Sequence, residues 1–381
     1  MERHDFQTIK FRYAGIGSRN VGSVHALILM RLAFIFRLEG GHGKSGSAEG
    51  SDLAIELGFY LAEYELARLG LISRITPMFF QSIIPWSNFN DRDTFKTPWV
   101  TSDIPQWAID SAAQLHPAWD KLSAGVKRLM ARNTLQIIDS QTKSPVDRVI
   151  CYTGDGASSV SEITSKTGGT GQALRLACQH GVPIVNVGNS EHRSEMESYI
   201  FQRAMYWKET LGIDVLSITE FAYWNSPTGG ESVNGDAIAF CEEGGGNVLV
   251  HNANIHNSFG RGFALSLYRR YPQSFIADSA TVKGDKSKLG TYSVANVVSP
   301  KGHQFSIINV YGQAFMNADQ DVCCVDYTAL QKGLDAIAVQ YKTESIVYPM
   351  IGAGLAGGSW LTISRMIRKS FSGMSHTLCR Q

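Results

Sequence analysis

A chain of 381 residues, 44% apolar and 18% charged, holds enough apolar material for sizeable cores, and its composition excludes a disordered protein. At about 150 residues per domain, the length predicts two units rather than one core. A formal net charge of +1 excludes a global field that would draw in nucleic acid, so no nucleic-acid partner is expected.

The N-terminal stretch MERHDFQTIKFRYAG lacks the uninterrupted apolar run of a secretion signal. No later segment offers the roughly 18 apolar residues that span a bilayer, so a cytoplasmic protein with no membrane partner is expected. From there TIKFRYAGI reads as a strand and VGSVHALILMRLAFIFRLEG as a helix, with Gly15, Gly17, Ser18 and Arg19 at the junction. A second glycine-rich loop, EGGHGKSGSAEG, opens the helix SDLAIELG. RVICYTG is a strand, and Gly168, Gly169, Thr170 and Gly171 lead into the helix GQALRLACQHG, followed by the strand PIVNVG. Strand, glycine loop and helix recurring in this order predict a parallel sheet whose loops converge at its C-terminal edge, where backbone amides and helix N-termini hold phosphates. A glycine pair alone is equally consistent with a plain strand-to-helix turn.

After the helical EMESYIFQRAMYWKETLG, the Gly-, Ser- and Asn-rich FAYWNSPTGGESVNGD reads as a connection, which places a boundary near Ser226. A second α/β series then follows: NVLVHNANI, FGRGFALSLYRRYP, SIINVYGQ, VDYTALQKGLDAIAVQYK and SIVYPMIGAG. Here Asn252 and Asn254 end a buried strand and can bond ribose hydroxyls. The amides of Gly260, Arg261, Gly262, Phe263 and Ala264 can wrap a diphosphate from one side, and those of Ile351, Gly352, Ala353, Gly354 and Leu355 from the other. Tyr311 and Phe315 are of the right chemistry to stack on a ribose or base. The six cysteines, Cys151, Cys178, Cys241, Cys323, Cys324 and Cys379, form no C-x-x-C pair and read as free thiols. Neither a metal nor a cofactor is called for.

At YAGIGSR, the glycine loop before SDLAIELG, IIPWSNFN, HPAWDKLS, LMARN and TGGTGQALRLA, the first part of the chain resembles the SLOG superfamily. That Rossmann-like group includes the LOG phosphoribohydrolases and the DNA-processing DprA proteins, and the likeness is nearest to a phage-associated branch. The resemblance implies a nucleotide site at Gly15, Gly17, Ser18, Arg19, Arg132 and Gly168 to Gly171, and self-association through a sheet edge or helices. LOG enzymes carry a glutamate after the G-G-x-G-T loop, whereas this chain has Ala173, Leu174 and Arg175. Asp155, Glu162 and Asp52 are the acids that stand nearby to substitute. The second part, through NVLVHNANIHNSFGRGFA, KLGTYSV, NVYGQ, VDYTALQKGL and YPMIGAGLAGGSW, resembles the macrodomains. The likeness is nearest to the branch of terminal ADP-ribose glycohydrolases and ADP-ribose 1''-phosphate phosphatases.

Together these resemblances imply an α/β protein of two domains: a Rossmann-like parallel-sheet SLOG domain over residues 1–226, then a three-layer α/β/α macrodomain over residues 227–381. They imply that ADP-ribose or an NAD-derived nucleotide is the partner. By resemblance Asp236 and Ala237 hold the adenine end, Gly260 to Ala264 and Ile351 to Leu355 clamp the diphosphate, Asn254 faces the distal ribose, and Lys288 and Asn254 are catalytic, with Lys288 at the position that attacks the anomeric carbon. Read from the residues alone, Lys288 in GDKSKLG is a solvated loop lysine. The branch has an aspartate after its G-x-G-L, where this chain has Ala356, and many phage relatives have an acid where this chain has Ser359. Asp278, Asp285 and His256 are the groups left to replace them. The function expected from these resemblances is binding of ADP-ribose or a derivative in the macrodomain with hydrolysis of ADP-ribose 1''-phosphate or ADP-ribosyl adducts, coupled to a nucleotide-binding SLOG domain; the alternative is a non-catalytic sensor or sequestering protein for NAD-derived nucleotide signals, such as a phage counter-defence factor.

Overall fold

The computed structural model describes residues 4–72, 77–87, 89–91, 100–116, 118–218, 230–316 and 323–380. The chain divides into two compact units, one built from Met1–Val21 with His25–Thr219, the other from Gly22–Val24 with Glu220–Gln381. The boundary expected near Ser226 lies outside the described residues.

The first unit is a parallel six-stranded sheet. Its elements run β1 (Phe11–Gly17), α1 (Ser23–Leu38), β2 (Gly41–Ser45), α2 (Ser51–Arg68), β3 (Phe80–Ile83), β4 (Val100–Thr101), α3 (Gln106–Leu115), α4 (Ala124–Ile137), β5 (Arg148–Tyr152), α5 (Thr170–Gln179), β6 (Ile184–Asn186) and α6 (Ser190–Leu211). The strand order is β4-β3-β2-β1-β5-β6, every described pair being parallel. The chain winds outward from β1 in both directions, so the topological switch point falls between β1 and β5, where doubly wound sheets open a crevice. Helix α1 is apolar nearly all round and buried from Ala26 through Leu38 apart from a few partly covered positions, as a helix with no polar face must be. Gly15 lies inside β1, and a Cβ there would stand 2.4 Å from Ile55 of α2, so its role is close strand-to-helix packing.

The second unit contains β7 (Glu231–Asn234), α7 (Ala237–Glu242), β8 (Val248–Asn254), α8 (Gly262–Arg270), α9 (Pro272–Ser279), β9 (Tyr292–Val298), β10 (Gln304–Gln313), α10 (Tyr327–Gln340), β11 (Ile346–Tyr348), α11 (Trp360–Ser370) and β12 (His376–Arg380). Its order is β7-β12-β11-β8-β10-β9, and β9 alone runs antiparallel to its neighbour, β10. Alternation along the strands builds a core on each face. Val248, Val250, Ile308 and Val310 pack with residues of α10 and α11, while Leu249, Ile307 and Val347 pack with Ala237, Ile238 and Leu267 of the helices opposite. The result is a three-layer α/β/α unit. Strand β8 lies between β10 and β11, which the chain reaches by crossing it, so its carboxyl end is a second switch point.

Candidate functional site

In the second unit the carboxyl ends of β8, β10 and β11 open into a cavity of about 590 Å³. It brings together Asn252, Asn254, Gly260, Arg261, Gly262, Phe263, Ala264, Ile351, Gly352, Gly354 and Leu355, residues more than 90 positions apart at the extremes. Sequence reasoning had not singled out Ser258, Gln313, Met316, Pro349 and Met350, which also line it.

Each loop is left open on the cavity side for a physical reason. Three helices of this unit have their first turns closed by side chains: Asp236 accepts from Ala239 N at 2.8 Å, Asp326 from Ala329 N at 2.9 Å, and Ser359 from Thr362 N at 3.5 Å. Helix α8 starts from Arg261 with no side-chain cap, so its first-turn amides keep their donors. Gly262 adopts φ +58°, and a Cβ there would come within 3.1 Å of Leu355 Cδ1, which is where the two loops meet. The second loop is held by Gly358 N to Gly352 O and Gly357 N to Gly354 O, both 2.9 Å. Those bonds use its carbonyls, and among the described residues no acceptor is paired with the amides of Gly352, Gly354 or Leu355. The cavity is thus lined by two loops with unpaired amides, the chemistry by which a backbone can hold an anion.

The asparagines are pinned. Asn254 donates to Ser258 O at 3.0 Å and accepts from His256 N at 2.9 Å, and Asn252 donates to Gln313 Oε1 at 3.1 Å. Asn252 Oδ1, buried and without a hydrogen-bond partner among the described residues, lies over Gly312, where a Cβ would stand 2.4 Å away. His251 also lines the cavity, with Nε2 2.7 Å from Asn309 Oδ1, and burial pushes its pKa down to about 4. It is neutral at pH 7.

Other expected residues lie elsewhere. Asp236, besides capping α7, stands 3.3 Å from Arg270 Nη1; neither it nor Ala237 lines the cavity, and Ala353 is also outside the lining. Tyr311, expected to stack on the ligand, is instead buried, its hydroxyl donating to Asp278 Oδ1 at 2.7 Å and accepting from the Ser293 hydroxyl at 3.0 Å. Lys288 is not a solvated loop lysine: it is 6% exposed, lies outside the lining, and donates to Asn257 Oδ1 at 2.7 Å and Ile255 O at 3.2 Å. Of the replacement groups, Asp278 is buried behind Tyr311, Asp285 closes its own turn onto Ser287, and His256 Nε2 sits 3.1 Å from Ala314 O. Ala356 lines the cavity, and Ser359 is a helix cap.

The first unit has its own cavity of about 330 Å³ at the β1–β5 switch point. Gly17, Ser18, Arg19, Arg132, Gly168, Gly169 and Thr170 line it, together with Asp52 and Lys166; Gly15 and Gly171 do not. Arg132 is buried on α4, its Nη1 donating to Gly46 O at 2.8 Å and lying 3.8 Å from Asp52 Oδ2, and its Nη2 donating to Asn133 Oδ1 at 2.9 Å. Asp52 accepts from the amides of Gly46 at 3.1 Å and Ala48 at 3.3 Å, yet burial outweighs these bonds and Arg132 and lifts its pKa to about 6. Helix α5 starts from Gly169, again with no side-chain cap. Asp155 accepts from Thr167 Oγ1 at 2.6 Å and Thr153 Oγ1 at 2.7 Å and so organises the approach to that helix, while the exposed Glu162 is satisfied by Ser158 and Ser159. Among the described residues no cluster of three or more His, Cys, Asp or Glu is placed to hold a metal ion, and no helix is long and apolar enough to cross a membrane.

No known family profile and no curated protein matches the chain. Among solved structures it is similar to a macrodomain protein from Streptomyces coelicolor, 26% identical over 40% of this chain and 98% of that one, with a TM-score of 0.30. It is similar to the macrodomain of Thermus aquaticus DarG, 18% identical over 40% of this chain and 97% of that one, with a TM-score of 0.31. A third is Thermosipho africanus DarTG in complex with ADP-ribose, 13% identical over 47% of this chain and 51% of that one, also with a TM-score of 0.31.

Proposed function

We propose that the second unit is a macrodomain-type receptor that captures ADP-ribose or a close diphosphate relative and holds it without turnover, as a sensor or sequestering protein for NAD-derived nucleotides. The observation that carries this reading is the convergence of two open-amide glycine loops on one cavity whose described lining includes no carboxylate and no amine. Unpaired amides from α8 and from Gly352, Gly354 and Leu355 suit a diphosphate, and Asn254 supplies a polar edge for a ribose. Hydrolysis needs a general acid or base at the ribose, and its loss commonly costs about 10² to 10⁴ in rate. Among the described lining residues no carboxylate or lysine supplies that group: Ala356 stands where the resemblance places the aspartate, and His251 is a weak base, its pKa lowered by burial to about 4 and its Nε2 tied to Asn309. The second cavity, in the first unit, is read as a nucleotide site held by Arg132, Arg19 and the α5 N-terminus.

Incubating the full chain with ADP-ribose 1''-phosphate and with an ADP-ribosylated peptide, and following both by mass spectrometry, tests the reading. Ligands that bind and stay intact over hours are the expected outcome. Release of phosphate or peptide over many turnovers would replace the receptor with a hydrolase.

A further inference from the structure

We infer that Lys288 is a positioning residue, which holds the turn that presents Asn254 to the cavity, and not the group that attacks the ligand; this rests on the receptor reading above. The turn in question, Ile255 to Ser258, follows β8 directly. Two of its members fix Asn254: the His256 amide donates to Asn254 Oδ1 at 2.9 Å, and Ser258 O accepts from Asn254 Nδ2 at 3.0 Å. The other two are held from behind by Lys288, whose Nζ donates to Ile255 O at 3.2 Å and to Asn257 Oδ1 at 2.7 Å. Asn257 sits at φ +54°, a left-handed conformation that asparagine tolerates better than most side chains, and its side-chain bonds keep it there. Its Nδ2 completes the staple by donating to Asp278 O at 2.8 Å and Thr281 O at 3.2 Å, and Gly284 N donates to Ile255 O at 2.8 Å. Residues alternate along the turn, one toward Asn254 and the next toward Lys288.

The ammonium is committed on every side. Its two strong bonds go to the turn, Asp278 Oδ1 lies 3.8 Å away, and the Tyr311 ring centroid is 4.4 Å from Nζ. A lysine attacking an anomeric carbon has to reach the cavity as a free amine. Doing so here breaks the two bonds that hold Asn254's turn and leaves Asp278 in the interior without its cation. The arrangement therefore suits a fixed strut.

The test uses the full chain as wild type, Lys288→Met and Lys288→Arg. Amide hydrogen exchange is read first, without ligand, at His256 and Gly284. Lys288→Met is expected to speed exchange at both by about tenfold or more through local opening, with β5 of the first unit as an unchanged control, and Lys288→Arg is expected to restore most of the protection. ADP-ribose titration should follow the same order, about tenfold weaker for Met and within about threefold of wild type for Arg. Intact-mass analysis of wild type, incubated with ADP-ribose and reduced with borohydride, should show no adduct. Unchanged exchange in Lys288→Met, or an ADP-ribosyl adduct mapped to Lys288, would overturn the inference. Wild type that fails to bind ADP-ribose would remove the receptor reading and leave the exchange comparison to decide the role of Lys288. If Lys288→Met does not fold, Lys288→Gln takes its place in the same comparison.

Discussion

The two cavities occupy the same kind of place, the carboxyl edge of a parallel sheet at its switch point, yet on the proposed reading they would hold anions in opposite ways. The first concentrates formal charge: Arg19, Arg132 and Lys166 line about 330 Å³, with one buried carboxylate, Asp52, against the arginine. The second, about 590 Å³, has Arg261 at its rim as the sole formally charged side chain among the described lining residues at pH 7, and relies on glycine amides and two asparagines. An uncapped helix is common to both, starting at Gly169 in one and Arg261 in the other. Fold topology thus fixes where an anion can sit, while the side chains at the edge decide whether charge or shape selects it.

The sharpest way to break this comparison is to close the amide site without touching charge. Gly262→Val forces a β-branched residue into φ +58° and against Leu355, so ADP-ribose binding should weaken roughly 100-fold, about 3 kcal/mol, in calorimetry. Affinity within threefold of wild type would mean the two loops are not the clamp.

A smaller effect isolates the charged site. Asp52 has its pKa raised from 3.8 to about 6, so the folded protein holds this proton more tightly than the unfolded chain. Its contribution to stability is therefore full below about pH 4 and is lost as pH rises through 6. Between pH 7 and pH 5 the first unit should gain roughly 1 kcal/mol from Asp52. His42, half-buried and with its pKa lowered to about 4, pulls the other way. The readout is accordingly the difference between wild type and Asp52→Asn in urea melts at the two pH values, and equal pH dependence in both would contradict the assignment.

The smallest effect is screening. Arg19 and Lys166 are exposed, so AMP binding at the first site should weaken roughly fivefold between 50 and 500 mM salt. ADP-ribose binding in the second unit should change by less than about twofold. A reversed order of salt sensitivity would erase the distinction between the sites.

Much of this was legible in the chain because it depends on local pattern. Strand, glycine loop and helix in repeated order give parallel sheets, and NVLVHNANI followed by SFGRGFA marks both the strand end and the open helix start. What stayed hidden depends on distant partners. Lys288 lies in GDKSKLG, which has the composition of a solvated loop, and only its packing against Asn257, Asp278 and Tyr311 buries it. Tyr311 looked available for stacking until Asp278 and Ser293 claimed its hydroxyl. Asp236, read as a ligand group, also caps α7, a role that a single aspartate before a helix commonly takes. The pairing of Asp52 with Arg132 joins residues 80 positions apart, beyond the reach of any periodicity.

The most direct measurement is a crystal structure of the full chain soaked with ADP-ribose. The account predicts one molecule in the second unit, with its two phosphates within about 3.2 Å of amides from both Gly260 to Ala264 and Ile351 to Leu355, and its distal ribose against Asn254. Phosphates bound only by the arginines of the first unit, with the glycine loops of the second empty, would contradict it.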